Sequence, residues 1–228
     1  MSEAGKLALR EHALREAVIG TAREMNALGI NRGKSGNVSA RCRDGNSDGY
    51  LITPSGMPYA SIMAGDIVAM PVAGRSDAGR GARRPSSEWR FHRDIYRARS
   101  DAEAIVHTHA PFATSLACLR SGIPAFHYMV AVAGGDDIRC APYATFGTQA
   151  LSDRAVAALE GRRACLLANH GMIAIGASLG AALALAVEVE TLAEMYWRAR
   201  QLGEPVLLSA AEMKVVVAKF ASYGQPKS

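Results

Sequence analysis

Cysteine is scarce in this 228-residue chain. Its four residues, Cys42, Cys118, Cys140 and Cys165, lie so far apart that they form no CxxC pair. That spacing excludes a disulfide framework and fits a reduced, cytoplasmic setting. Cys118 and Cys165 read as buried apolar residues. Aromatic residues make up only 6% of the chain, so a net charge of +5 is not joined to stacking rings or a nucleic-acid motif. Cationic residues peak over 75–99, which reads as a solvated basic loop, and the remaining basicity suits a small anionic substrate. No apolar run reaches the roughly 20 residues of a membrane helix. Met1 to Arg15 mixes charges and holds no apolar signal region, so no export signal and no membrane contact are expected. Internal repeats and the GxxxxGK[ST] phosphate loop are also absent. The length fits one domain over 1–228, since domains reach roughly 200 residues and somewhat beyond.

What is present is an irregular mixture of short strands and helices. Glu3 to Leu28 repeats apolar residues at helical spacing, with Gly29 placed to end the helix. Gly33 to Arg41 is a glycine-rich turn feeding a strand, followed by the polar turn Asp44 to Gly49 and a second strand, Tyr50 to Thr53. A turn over Thr53 to Gly56 and a third strand, Ile67 to Val72, come next. Ala73 to Arg84 has no periodicity and reads as an exposed loop. A helix opens near Pro85, with Ser86 or Ser87 as cap and Glu88 in its first turn, and runs to about Arg99. Further on, Leu151 to Leu159, the alanine-rich Ser178 to Leu202 and Ala210 to Ala221 are helical. Glu188, Glu190 and Glu194 read as a solvated or subunit-facing side of the long helix. The hairpin-like pairs argue for a layered α/β domain with a mixed or largely antiparallel sheet, because a doubly wound fold needs regular strand–helix alternation.

Chemistry concentrates in Ile105-Val106-His107-Thr108-His109-Ala110. On a strand, residues two apart share a face, so His107 and His109 aim two imidazoles at one point. Two imidazoles on a rigid face suit half a transition-metal site, although HxH alone equally describes two unrelated strand histidines. His170, beside Gly171 at a bend between strands, is the best third ligand, and Glu88 the best fourth. Three neutral imidazoles leave a divalent ion most of its Lewis acidity, and a carboxylate that can leave then serves as a base. His92 stands one helical turn after Glu88 and suits a supporting or packing role. His127 either orients Tyr128 or fills space, and His12 reads as a surface residue.

Six stretches in order then carry a resemblance: Ser35 to Ser39, Leu51 to Tyr59, Pro85 to His92, Val106 to Ala110, Ala141 to Gly147 and Ala168 to Gly171. Together with the tail Lys219 to Gly224, the chain resembles the class II aldolase/adducin family from about residue 8 to 224. Within that family it is similar to the aldolases of L-fuculose 1-phosphate, 5-deoxyribulose 1-phosphate and 5-methylthioribulose 1-phosphate. The resemblance implies a three-layer α/β/α domain with a large mixed, mostly antiparallel central sheet flanked by helices. It implies Zn²⁺, with Mn²⁺, Co²⁺ or Fe²⁺ as substitutes, held by His107, His109, His170 and Glu88, with Glu88 also the acid/base. A phosphate pocket maps onto Gly36, Asn37, Thr53, Gly56, Ser86 and Ser87, and an aldehyde pocket onto Phe146, Phe220 and Tyr223. Tyr128, supplied by a neighbouring subunit, would serve the aldehyde side.

By that resemblance the protein is a cytoplasmic lyase. It would cleave a phosphorylated sugar to dihydroxyacetone phosphate and a short aldehyde, in carbohydrate metabolism or methionine salvage. It would form a homotetramer with sites at subunit interfaces and a C-terminal tail, about 205–228, closing over each. Dehydration or 4-epimerisation at the same metal, and an adducin-like binding module, stay open as alternatives. The composition of 73–84, the charged Asp136 to Arg139 and Lys34 depart from the fuculose enzymes and leave the aldehyde half undecided.

Overall fold

The computed structural model describes residues 2–44, 47–73 and 83–221. A seven-stranded sheet runs through the centre. Its strands are β1 (Asn37–Asp44), β2 (Ser47–Ile52), β3 (Val68–Pro71), β4 (Ala104–Thr108), β5 (Cys140–Ala141), β6 (Ala164–Leu167) and β7 (Gly171–Gly176). Their spatial order is β3-β2-β1-β4-β7-β6-β5. All neighbours are antiparallel except β5 and β6. This is the expected mixed, mostly antiparallel sheet.

Strand alternation sorts the core into two layers. Val38, Ala40, Val106, Met172 and Ala174 face one side. There they meet helices α1 (Glu3–Ala27), α3 (Pro111–Cys118) and α5 (Leu179–Leu202). Ile52, Ile105, Cys165, Ile173 and Ile175 face the other. Against them lie α2 (Trp89–Ala98) and α4 (Gln149–Ala158). Every residue of β4, β6 and β7 is buried, as expected for strands covered on both faces. The expected α/β/α layering is therefore present. A last helix, α6 (Ala210–Ala221), packs against a short 3₁₀ helix, Tyr128–Ala133.

Several boundaries differ from the sequence reading. The polar turn expected over 44–49 is shorter, because β2 begins at Ser47 and pairs back to Asp44. Helix α2 begins at Trp89, so Glu88 occupies the capping position itself and not the first turn. The loop expected over 73–84 falls mainly on 74–82, outside the described residues. Cys118 is exposed, not buried, because it ends α3 on the outer side.

Glu190 also departs from expectation. It is not on a solvated side, since its carboxylate accepts the backbone N–H groups of Phe112 and Ala113, each at 2.8 Å. Pro111 and Ala110 offer no side-chain cap, so α5 supplies the acceptor for the first turn of α3. Burial raises the Glu190 carboxyl above its usual range, opposed by these two hydrogen bonds. Replacing Glu190 with Ala is expected to lower unfolding stability by about 1–2 kcal/mol, measured by urea titration, because two helix-start donors lose their acceptor.

Candidate metal centre

Register brings the site together. In the β1–β4 ladder Asn37 lies directly opposite His107, and in the β4–β7 ladder Thr108 lies opposite Met172. His107 points to the α2 side of the sheet, as Ile105 does, and its ring meets Phe91 edge-on at 5.4 Å. His109 follows β4 with the same parity. Thr108 turns away and donates to the carbonyl of Ile30. The β6–β7 hairpin turns through Asn169, in the left-handed region with φ 55°, and presents His170. A Cβ on Gly171 would stand 2.5 Å from the Thr108 carbonyl and 3.0 Å from the His109 ring. Glycine there allows the hairpin to close on the HxH strand.

His107, His109 and His170 converge with ring centroids 4.9–5.1 Å apart. One ring nitrogen from each lies within 4.8 Å of the others. Glu88 closes the group. Its Oε2 stands 3.0 Å from His107 Nε2, and its Oε1 stands 3.2 Å from His170 Nε2. Glu88 is only 4% exposed and His107 is fully buried. His107 Nδ1 lies 2.9 Å from the Met172 carbonyl, which can only accept, so Nδ1 carries the proton. A neutral His107 therefore directs a lone pair from Nε2 toward a carboxylate oxygen.

Two acceptors in contact require a cation between them. His107 Nε2, His109 Nε2 and Glu88 Oε1 are buried and lack hydrogen-bond partners. The 3.0 Å pair likewise lacks hydrogen-bond geometry. For comparison, ligands bonded at about 2.0 Å around a tetrahedral ion lie roughly 3.3 Å apart. Donor set, orphaned atoms and spacing all fit a divalent metal.

Without an ion, Glu88 favours a proton on His107 in the cation's place. Burial opposes charging His107, but the charge and proximity of Glu88 outweigh it and raise its pKa. For Glu88, burial pushes up, while His107, His170 and the Asn37 hydrogen bond bring it down to about 2. Burial first, and then the charge on His107, lowers His109 and His170 to about 4. Burial lowers His92 to about 3.

The cavity beside the histidines has a volume of about 240 Å³ and is lined by Ser35, Ser87, Glu88, His109, Tyr143, Phe146 and His170, among others. Of the residues assigned to a phosphate, Ser87 is exposed there, while the Ser86 hydroxyl accepts from the Glu88 N–H at 3.3 Å. Thr53 is buried, and its hydroxyl accepts from the Val38 N–H at 3.2 Å. Gly36 is wedged behind the site, where a Cβ would stand 2.6 Å from the His107 carbonyl. Gly56 sits in a turn at φ +71°. Asn37 donates to Glu88 Oε2 at 3.0 Å. Phe146 lies at the cavity, 64% exposed. Tyr128, 51% exposed, does not line this cavity and stacks with Phe220 at 6.5 Å. Tyr223 lies outside the described residues. His127 caps the 3₁₀ helix by accepting the Met129 N–H, and His12 is exposed.

Fold and site define a layered α/β enzyme organised around a three-histidine, one-carboxylate centre. The chain belongs to the class II aldolase and adducin family, whose model, Class II Aldolase and Adducin N-terminal domain, matches residues 16–197. It is thus an enzyme of a metal-dependent class, an aldehyde-lyase. It is 58% identical over 212 residues to the 5-methylthioribulose-1-phosphate/5-deoxyribulose-1-phosphate aldolase of Rhodospirillum rubrum, covering 93% of each. It is 46% identical to the L-fuculose phosphate aldolase of Escherichia coli K12, covering 95% of this chain and 98% of that one. A solved L-fuculose 1-phosphate aldolase superposes with a TM-score of 0.86 at 42% identity, over 92% of this chain and 96% of that one.

Two predictions follow from the geometry. His109→Ala is expected to abolish stoichiometric metal binding, read by elemental analysis after dialysis, while far-UV circular dichroism stays unchanged. The pH dependence has a definite sign. His92, His109 and His170 bind protons less readily folded than unfolded, so the unfolded state gains protons first as pH falls. Stability they contribute is present above about 6.5 and lost as pH falls toward about 4 for His109 and His170 and about 3 for His92, and the raised His107 partly offsets it. The melting temperature of metal-free protein should fall across that interval, and a flat profile would contradict the assignment.

Proposed function

We propose that the protein is a Zn²⁺-dependent aldolase that splits a ketose 1-phosphate into dihydroxyacetone phosphate and a short aldehyde. The supporting observation is the convergence of Glu88 with His107, His109 and His170 at the wall of a solvent-reached cavity. A divalent ion held by these four residues supplies Lewis acidity that stabilises negative charge on the ketone half.

The chain's own groups perform the rest. Cleavage breaks C3–C4, leaving the electron pair on C3 while the C4 hydroxyl loses its proton and becomes the aldehyde. Glu88 would carry the proton that C3 then takes up and accept one in the reverse direction. Ser87, at the cavity, and the Gly36–Asn37 turn behind it would hold the phosphate, with Ser86, Thr53 and Gly56 shaping the backbone around it. Tyr128 would remove the C4 proton from across a subunit boundary. Its exposure and its absence from the cavity wall support a role in a neighbouring copy's site. The reading therefore includes a homotetramer with shared sites, and a tail from about residue 205 closing over each, in the cytoplasm.

For the aldehyde half we favour a methyl or methylthio end. The chain is more similar to the Rhodospirillum rubrum enzyme than to the fuculose enzymes, and the exposed Phe146 ring offers an apolar wall. Phe220, which does not line this cavity within the chain, and Tyr223, which lies outside the described residues, would add to that wall in this reading. Zn²⁺-loaded protein offered the three ketose 1-phosphates should release dihydroxyacetone phosphate, with higher kcat/KM for the 5-methylthio or 5-deoxy substrate than for L-fuculose 1-phosphate. Consumption without that release would instead mark a dehydratase or epimerase. Glu88→Gln should keep its metal but lose about 10²–10⁴-fold in kcat, the usual range for a positioned acid/base. Tyr128→Phe should lower kcat in a protein that remains tetrameric by light scattering.

A further inference from the structure

We infer that His92 is a positioning residue for Glu88, acting through the Asn37 side chain at the inner end of a buried relay that starts at Tyr96. This rests on the reading of Glu88 as the acid/base of the proposed aldol cleavage.

The relay consists of four contacts. Tyr96 OH and Ser39 Oγ are 2.8 Å apart, and Ser39 Oγ and His92 Nδ1 are 2.7 Å apart. His92 Nε2 and Asn37 Oδ1 are 2.5 Å apart, and Asn37 Nδ2 stands 3.0 Å from Glu88 Oε2. All five side chains are buried. Register explains why they meet. Asn37 and Ser39 are two apart on β1 and share the face turned to α2, while Glu88 at the cap of α2 and His92 and Tyr96 within it recur every four residues.

Only one assignment of protons satisfies the chain with a neutral imidazole. A carboxylate accepts, so the amide NH₂ of Asn37 must face Glu88, and Asn37 Oδ1 must face His92. Oδ1 then requires the proton on His92 Nε2. That leaves Nδ1 to accept from Ser39, whose oxygen accepts from Tyr96. Reversing the amide would set two acceptors, Oδ1 and Oε2, against each other between buried side chains, a costly arrangement. With the NH₂ end of Asn37 taken by Glu88, His92 Nε2–H holds the other end of the amide in place, and the amide fixes one carboxylate oxygen beside His107. Groups that orient metal-binding side chains in this way commonly alter affinity or turnover by about 10–100-fold when removed.

The experiment compares His92→Leu, which removes the donor to Asn37, with His92→Gln, whose amide N–H can replace Nε2–H. Three readouts are taken on Zn²⁺-loaded protein. These are kcat and KM for cleavage of the best ketose 1-phosphate, apparent Zn²⁺ affinity by chelator competition, and melting temperature. For His92→Leu we expect kcat down at least tenfold with KM within about twofold, and Zn²⁺ affinity about tenfold weaker. His92→Gln should recover both to within about threefold. Combined with Glu88→Gln, His92→Leu should cost little further turnover, since both act through one carboxylate. Equal losses in Leu and Gln variants, or full additivity with Glu88→Gln, would overturn the inference and mark His92 as core packing. Wild-type turnover and affinity in His92→Leu would overturn it as well. If His92→Leu does not fold, Ser39→Ala removes the donor to Nδ1 and is judged by the same readouts. Wild-type turnover in Glu88→Gln would remove the acid/base reading by itself, and the Zn²⁺ affinities of the Leu and Gln variants would still decide whether His92 orders Glu88.

Discussion

The structure is organised by one short contact, the 3.0 Å approach of Glu88 Oε2 to His107 Nε2. Met172 holds the only proton of a neutral His107 on the far nitrogen. The contact is then between two lone pairs on buried side chains. Such an arrangement is unfavourable unless a positive charge lies between the atoms, as a proton or as a metal ion. His109 and His170 add two further nitrogens around the same point. The site's chemistry follows from that requirement, since a group that attracts a cation in the ground state can stabilise an anion through it during reaction.

Very different segments must cooperate to make this contact. The four converging side chains come from the start of α2, the end of β4 and the β6–β7 hairpin, spanning residues 88 to 170. No local sequence preference unites them. The antiparallel ladders do, by placing Asn37 across from His107 on one side and Met172 near it on the other. The supporting elements are tuned to the same end. Gly36 and Gly171 allow backbones to pass against His107 and Thr108, and Glu190 secures the helix that follows His109. Disturbing these supports would move the converging side chains without touching them, which is why a site of this kind is built on a rigid sheet.

Much of this was legible in the sequence, for physical reasons that differ by residue. His107 and His109 were readable because strand parity is strict, and His170 because a glycine beside a histidine at a bend marks a close approach. Glu88 was readable only as the best candidate for a fourth ligand, which the resemblance then supported, since a carboxylate near a helix start is also an ordinary cap. The structure shows it at the capping position with its side chain making no cap bond and turned to the histidines instead. The role of Asn37 toward Glu88 was not readable, because the two are 51 residues apart and meet only through sheet register. His92 could be suspected from its helical spacing to Glu88, but Ser39 and Tyr96 could not be joined to it without the β1–α2 packing. Glu190 looked solvated because its neighbours Glu188 and Glu194 are charged, whereas its rotation about α5 carries it onto the start of α3. Tyr143 is not singled out by the sequence, and only the folded arrangement of 141–147 beside Ser87 brings it to the cavity.

The central claim is that one divalent ion occupies the gap bounded by Glu88 and the three histidines. X-ray absorption on protein loaded with a single equivalent of Zn²⁺ tests it most directly. The account predicts one ion per chain with only nitrogen and oxygen neighbours at about 2.0–2.1 Å, including the multiple scattering of three imidazoles. Loss of one imidazole shell in His170→Ala should accompany that result. Sulfur neighbours at about 2.3 Å, or less than one imidazole per ion, would contradict it and move the metal away from this site.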